Sequence, residues 1–205
     1  MCVTESLSTG ELVLPTANRI LVAVREVVLE SGFAALSTRA VAERAGVPLS
    51  QIHYHFGSKE QMILATLREE NDSLVKRQAE MFALDLPLAE RWSLACDYLD
   101  DDVDSGYVRV LQEMMAAGWS SVEVRDAVDE VLAAWSGALT KVVEQGRQAG
   151  ANFGSFEPAD IVALVMSAFL GAESLILLGL DRDQLPIRGA LRRVGDALAA
   201  LDSRR

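Results

Sequence analysis

The sequence predicts an all-α protein, with a small three-helix unit at the N-terminus followed by a larger set of helices. Three observations predict it. Apolar residues recur every three to four positions through almost the whole chain. No alternating β-branched run bounded by turn residues is long enough to build a sheet. Half of the 205 residues are hydrophobic and 24% charged, with only 14 Gly and 5 Pro, which excludes collagen-like, low-complexity and wholly disordered classes.

The first helix is expected to follow Pro15-Thr16 with Thr16 as its N-cap. Ala17, Ile20, Leu21, Val24, Val27 and Val28 form its apolar stripe, Gly32 stops it, and Phe33 and Leu36 return the chain to that stripe. Ser37 can cap a short second helix over 38–45, with Val41 and Ala42 inward. Gly46 supplies the turn into a third helix around 49–55. Gly57 ends the third, and Ser58-Lys59-Glu60-Gln61 reads as a capping box opening a long fourth helix through Met62, Leu64, Leu67, Leu74 and Val75. Asp85-Leu86-Pro87 breaks that helix. Further helices are expected near 88–102, 107–117, 121–148, 158–180 and 184–202, with Ser120 and Glu123 as a second capping box and Pro158 in a first turn. The domains expected from this order are 1–60 and 61–205.

The net charge of -11 opposes a basic surface spread over the whole chain. The acidity is uneven: residues 1–60 carry five basic and six acidic residues, residues 61–205 carry 14 and 24. Between Ser37 and Lys59 the balance reverses, with Arg39, Arg44 and Lys59 against Glu43, and both histidines, His53 and His55, fall there. Two short helices joined by a tight Gly turn and buttressed by a preceding helix make a helix-turn-helix, whose second short helix enters the major groove. Val47, Ile52 and Phe56 suit its inward face. Pro48, Leu49, Ser50, Gln51, His53, Tyr54 and His55 are left outside, where Gln, Ser and His reach base edges, Leu and Pro touch a thymine methyl, and Tyr donates to phosphate.

The stretch LSTRAVAERAGVPLSQIHYHFGSKEQMI, residues 36–63, resembles the N-terminal DNA-binding domain of the tetracycline-repressor (TetR) family, and the resemblance covers about residues 17 to 65. It implies that Thr38 and Arg39 hold phosphate or a base, that Pro48, Leu49, Ser50, Gln51, His53, Tyr54 and His55 read the operator, and that Lys59 sits at a phosphate. The free N–H groups at that helix start also favour an anion. His53 stands where the family usually has the first Tyr of its Tyr-x-His-Phe block, which leaves the identity of the bases open. The resemblance further implies a C-terminal ligand-binding and dimerisation domain, a homodimer through the last two helices, one from Ile161 to Leu180 and one from Ile187 to Leu201, and a palindromic double-stranded operator.

The residues agree with such a C-terminal part. Ile187, Leu191, Val194, Leu198 and Leu201 alternate four and three apart, a seam for helix-on-helix packing. The helix over 161–180 is apolar nearly all round, yet Glu173, Ser167 and Ser174 favour a helix buried on two sides over a membrane span. Trp92, Tyr98, Tyr107, Leu111, Met114, Met115, Trp119, Trp135 and Phe169 as a group suit an apolar pocket, implying a hydrophobic or aromatic small-molecule effector, though each alone reads more readily as core. Asp100, Asp101, Asp102 and Asp104 suggest calcium, but Ser105 and Leu111 replace the Gly and Glu of a calcium loop, so a solvated helix end is expected.

No triad, metal spacing or phosphate loop supports catalysis, and no cofactor is expected. Cys2 and Cys96 are too few and too separated for a disulfide framework, and the first fifteen residues lack the basic and apolar runs of a secretory signal, so a cytoplasmic location is expected. The expectation is a ligand-responsive transcriptional regulator, a repressor released by an apolar or aromatic molecule, and not an enzyme. The rival is a helical small-molecule carrier or enzyme with an incidental helix-turn-helix-like N-terminus.

Overall fold

In a computed structural model residues 15–32, 35–82, 84 and 86–202 are described, and these form nine helices and no strand. In order they are α1 (Thr16–Ser31), α2 (Thr38–Ala45), α3 (Leu49–Phe56), α4 (Lys59–Phe82), α5 (Leu88–Ser105), α6 (Tyr107–Gly118), α7 (Val122–Gln148), α8 (Pro158–Leu177) and α9 (Ile187–Asp202). Cys2, Phe33, Asp85 and the Leu201 side chain lie outside the described residues.

Local chemistry explains the N-terminal turns. The Ser37 hydroxyl accepts from the Ala40 N–H and caps α2. Gly46 leaves α2 at φ 63°, a left-handed conformation that costs a residue with a Cβ about 1 kcal/mol or more. Arg19 on α1 donates to the carbonyls of Ala45 and Gly46 at 2.6 and 3.2 Å, fixing the turn that aims α3. Ser58 accepts from Gln61 N–H at the start of α4. Ile20, Val41 and Ile52, one from each of the first three helices, are wholly buried, each side chain contributing about 1.5–3 kcal/mol.

That core does not stop at residue 60. Met62, Ile63, Leu64 and Leu67 on the first turns of α4 join it, and so do Tyr107, Val108 and Leu111 of α6 and Val124 to Val131 of α7. A second core gathers Cys96, Leu99, Phe169, Ala172, Ile176, Ile187 and Leu191 from α5, α8 and α9.

Several expectations change. Thr16 is already helical, with Pro15 in the cap position and no side-chain cap bond. Ser121, not Ser120, accepts from Val124 N–H and caps α7. At α8 the capping box is formed by Glu157 and Asp160, and the helix ends at Leu177. A turn closed by Arg182 and Leu185 delays α9 to Ile187. The α9 seam packs inside its own chain: Ile187 and Leu191 lie against α5, where Trp92 Nε1 donates to Leu191 O at 2.6 Å. Helix α8 is covered on one face only. Val162, Phe169, Ala172, Glu173 and Ile176 point inward, while Leu164, Ala168 and Gly171, and Leu178 just past the helix end, are exposed. By length and apolarity α8 is also the one helix among the described residues that could cross a membrane, with mean hydropathy 1.9.

The acidic run is paired at two of its four positions, because arginines of α4 and α9 reach it, while Asp101 and Asp104 are exposed as expected. Arg188 Nε and Arg192 Nη2 hold Asp100 at 2.6 and 2.7 Å, and Arg77 holds Asp102. No group of three His, Cys, Asp or Glu side chains among the described residues could hold a metal.

Candidate nucleic-acid interface and internal cavity

Helix α3 buries Ile52 completely and half-buries Phe56, and the rest of its surface is turned out. Pro48, Leu49, Ser50, His53, Tyr54 and His55 are exposed, Tyr54 to 81%, and Gln51 is half-buried. Thr38 and Arg39 open α2 and Lys59 opens α4, so these three flank α3 from both sides. His53 Nδ1 lies 3.1 Å from the Gly57 carbonyl. A carbonyl only accepts, so Nδ1 carries the hydrogen, and in the neutral ring Nε2 is left as an acceptor facing outward.

Arg44 takes no part in this surface. Its guanidinium forks onto Glu30 and reaches Glu26 at 3.2 Å, all on α1. Those hydrogen bonds hold the Glu30 carboxyl below its usual range and raise the guanidinium above its own. Of the other two cations in this segment, Arg39 is exposed and Lys59 half-buried.

A cavity of about 160 Å³ lies between α4, α5, α6, α7, α8 and α9. Its walls are mostly apolar: Trp92 and Trp135 both stand edge-on to Phe169, at centroid distances of 5.4 and 6.2 Å. Polar groups occupy two ends. Arg91 lines one, bonded to the Leu84 and Leu86 carbonyls and to Gln145 Oε1 at 2.9, 3.0 and 2.8 Å. Asp102, Tyr107 and Glu173 line the other. Asp102 is eleven residues beyond Arg91 on α5, roughly 16 Å along a helix rising 1.5 Å per residue.

Glu173 is 8% exposed. Burial pushes its carboxyl up to about 7, against the Gln112 hydrogen bond at 2.9 Å and with help from the Asp102 charge. Ser174 donates to Gln112 Oε1 at 2.6 Å, which turns the Gln112 amide nitrogen toward Glu173. The Tyr107 hydroxyl is buried without a hydrogen-bond partner among the described residues. Burial and the nearby Glu173, Asp102 and Glu70 charges raise its ionisation well above the usual phenol range.

Four likenesses bear on this arrangement. Residues 20–66 match the family of bacterial regulatory proteins, tetR family. An uncharacterized HTH-type transcriptional regulator of Mycobacterium tuberculosis is 27% identical over 191 residues, 88% of this chain and 94% of that protein. The N-terminal unit, residues 20–66, is that of the tetR family of bacterial regulatory proteins. UidR of Escherichia coli is 33% identical over 66 residues, which cover 32% of this chain and 34% of UidR. The crystal structure of FadR from Bacillus subtilis in complex with stearoyl-CoA superposes with a TM-score of 0.74 at 18% identity, over 87% of this chain and 96% of that one, a likeness of fold. TetR-family regulators bind operator DNA and small-molecule effectors and act as dimers.

Within this TetR fold the aromatic and apolar residues named from the sequence separate into two sets. Trp92, Tyr98, Tyr107, Leu111, Trp135 and Phe169 line the cavity. Three stand elsewhere. Met114 is 1% exposed in the core shared with α1, and Met115 packs against that core. Trp119 is 87% exposed, since it caps the C-terminus of α6 at the turn into α7. The sequence reading missed Arg91, Asp102, Glu173, Phe153 and Leu198 on the cavity wall, and Arg19 at the α2–α3 turn. Glu173 carried a signal, a lone carboxylate in an apolar helix, but spacing did not say that it faces a cavity.

Proposed function

We propose that this regulator is a repressor which holds a roughly palindromic operator as a homodimer and releases it when a small apolar molecule enters the cavity. The DNA-reading unit is residues 1–60. Thr38, Arg39, Tyr54 and Lys59 contact the backbone, and Pro48, Leu49, Ser50, Gln51, His53 and His55 contact base edges. One observation carries the reading: an outward polar α3 and an inward aromatic cavity are joined by α4 and α6 through a continuous packed core.

At the joint Gly106, φ 85°, lets the α6 start approach the Leu29 side chain of α1. Arg109 donates to Leu29 O at 2.7 Å, and Arg25 donates to Ser105 O. Tyr107, the next residue, lines the cavity. A ligand that moves Tyr107 therefore presses on the helix that buttresses the reading head. Ligand shifts the balance only by its differential affinity, and a hundredfold release of DNA needs about 2.7 kcal/mol of coupling. The similar fold of the Bacillus subtilis FadR that was solved with stearoyl-CoA supports an apolar effector. The cavity here is closer in size to one of about 150 Å³ that holds a benzene ring, so a stearoyl chain does not fit without opening.

Selection of genomic fragments on the purified protein, followed by titration of the selected duplex with small apolar compounds, tests this. Expected is an inverted repeat whose affinity falls in step with saturable quenching of tryptophan fluorescence. Saturable quenching with unchanged operator affinity for every compound removes the effector reading.

A further inference from the structure

The cavity is apolar except at its ends, and the end between α5, α6 and α8 has an unusual charge balance. Asp102 is held by Arg77, and Glu70 by Arg25 at 3.5 Å. Glu173 forms no salt bridge among the described residues, and its one charge-stabilising contact there is the Gln112 amide. Beside it the Tyr107 hydroxyl is 95% buried by the residue's 5% exposure, lines the same cavity and is unpartnered. Leaving a buried donor or acceptor unmade costs about 1–3 kcal/mol. A carboxylate without a counter-ion costs more. The fold keeps both costs at one end of the cavity, and Tyr98, Trp92, Trp135 and Phe169 line its walls.

We propose that the ligand of this cavity is a small apolar molecule bearing a protonated amine, whose ammonium donates to the Glu173 carboxylate and to the Tyr107 hydroxyl oxygen while its apolar body lies against Trp92, Trp135 and Phe169. This rests on the reading of the cavity as an effector site and specifies its chemistry. An ammonium supplies the missing counter-charge and the missing hydrogen-bond partner together. Aromatic faces favour the same cation. A neutral hydroxyl satisfies the hydrogen bonds and leaves the charge, and a carboxylate adds a second negative charge to the pole. The volume limits the body to about one ring or a short chain.

The test compares phenethylamine, phenethyl alcohol and phenylacetate, three ligands of one shape, by titrating the intrinsic tryptophan fluorescence of the full chain. At about pH 8 the amine is expected to bind about tenfold more tightly than the alcohol, with phenylacetate weakest. Glu173→Gln should remove the preference for the amine and keep the affinity for the alcohol, which also reports that the variant is folded. Tyr107→Phe should weaken the amine several-fold with Glu173 intact. Lowering the pH to about 6 protonates Glu173 and not an alkyl ammonium, so the amine preference should shrink while the alcohol is unaffected. The charge that reaches Glu173 is Asp102, held by Arg77, and Glu70, held by Arg25, reaches Tyr107; Gln112 and Tyr107 from α6 and the α7 wall of Val131 and Trp135 bring none. Equal binding of amine and alcohol, tighter binding of phenylacetate, or an amine preference that survives in Glu173→Gln overturns the proposal. Binding is read without DNA. An amine that binds through Glu173 and leaves the operator bound upholds the site chemistry and defeats only the effector reading.

Discussion

Glu173 sits among apolar neighbours with a carboxyl pushed up to about 7 by burial, from a usual value near 4.5, and this makes folding stability depend on pH. The folded state binds its proton more tightly than the unfolded chain does. The stabilisation is fully present below the unfolded value of about 4.5 and is lost as pH rises through about 7. Glu173→Gln should match the parent near pH 4.5 and exceed it at about pH 8 by up to about 3 kcal/mol, read from urea melts at several pH values. An unchanged difference across that range would mean that the carboxyl is not buried as described. At the other end of the molecule, Lys59→Ala and Arg39→Ala should each lower the salt slope of operator binding by about one. Arg44→Ala should leave the slope unchanged, since its charge is already satisfied by Glu26 and Glu30. A fall in slope for Arg44→Ala would place it on phosphate. Charge type was legible for all three cations, but the pairing of Arg44 was not, because its partners lie 14 and 18 residues back on another helix. The residues named for the pocket split for the same reason: residue type suits a cavity wall, a core such as that of Met114, or an exposed turn such as that of Trp119, and packing decides.

Among the elements, α1 to α4 were readable because their ends are written in adjacent residues. Ser37, Gly46 and Ser58 cap or turn the chain through bonds that span no more than four positions. Helix α9 was different. A stripe such as Ile187, Leu191 and Leu198 says that a partner helix exists and not which one, and the partner is α5 in the same chain. The break between α5 and α6 was placed from the sequence, but the contact it makes with Leu29 was silent, since Gly106 is one glycine among 14. A Cβ at Gly106 would collide with the Leu29 side chain, and φ 85° disfavours any Cβ there. Gly106→Ala should therefore lower stability by about 1–3 kcal/mol. Combining it with Leu29→Ala should recover the collision and leave the backbone part, a non-additivity of about 0.5 kcal/mol or more in a double-mutant cycle. Strict additivity would show that α1 and α6 do not press on each other at this joint, and the route from cavity to reading head would have to run along α4 alone.

On the scale of the whole molecule, the faces that remain uncovered decide how two copies meet. With Ile187 and Leu191 used against α5, the surface left on α9 is the line Ala190, Val194 and Ala197, and the surface left on α8 is Leu164, Ala168 and Gly171, continued past its end by Leu178. Both lines carry small residues between larger aliphatics, which lets helices approach closely, and they suit a four-helix contact between two protomers. Leu164→Glu places a charge on that face without touching either core. It should yield a folded monomer by light scattering and circular dichroism, and a loss of operator affinity, since one protomer fills one half-site. Leu191→Glu behaves differently, because Leu191 is 8% exposed beside Trp92 and the charge would enter the chain's own core. It should unfold α9 from α5 and lower the melting temperature before any question of pairing arises. A Leu164→Glu protein that stays dimeric and keeps its operator would move the interface off α8, and a stable monomeric Leu191→Glu protein would return it to the inner seam of α9.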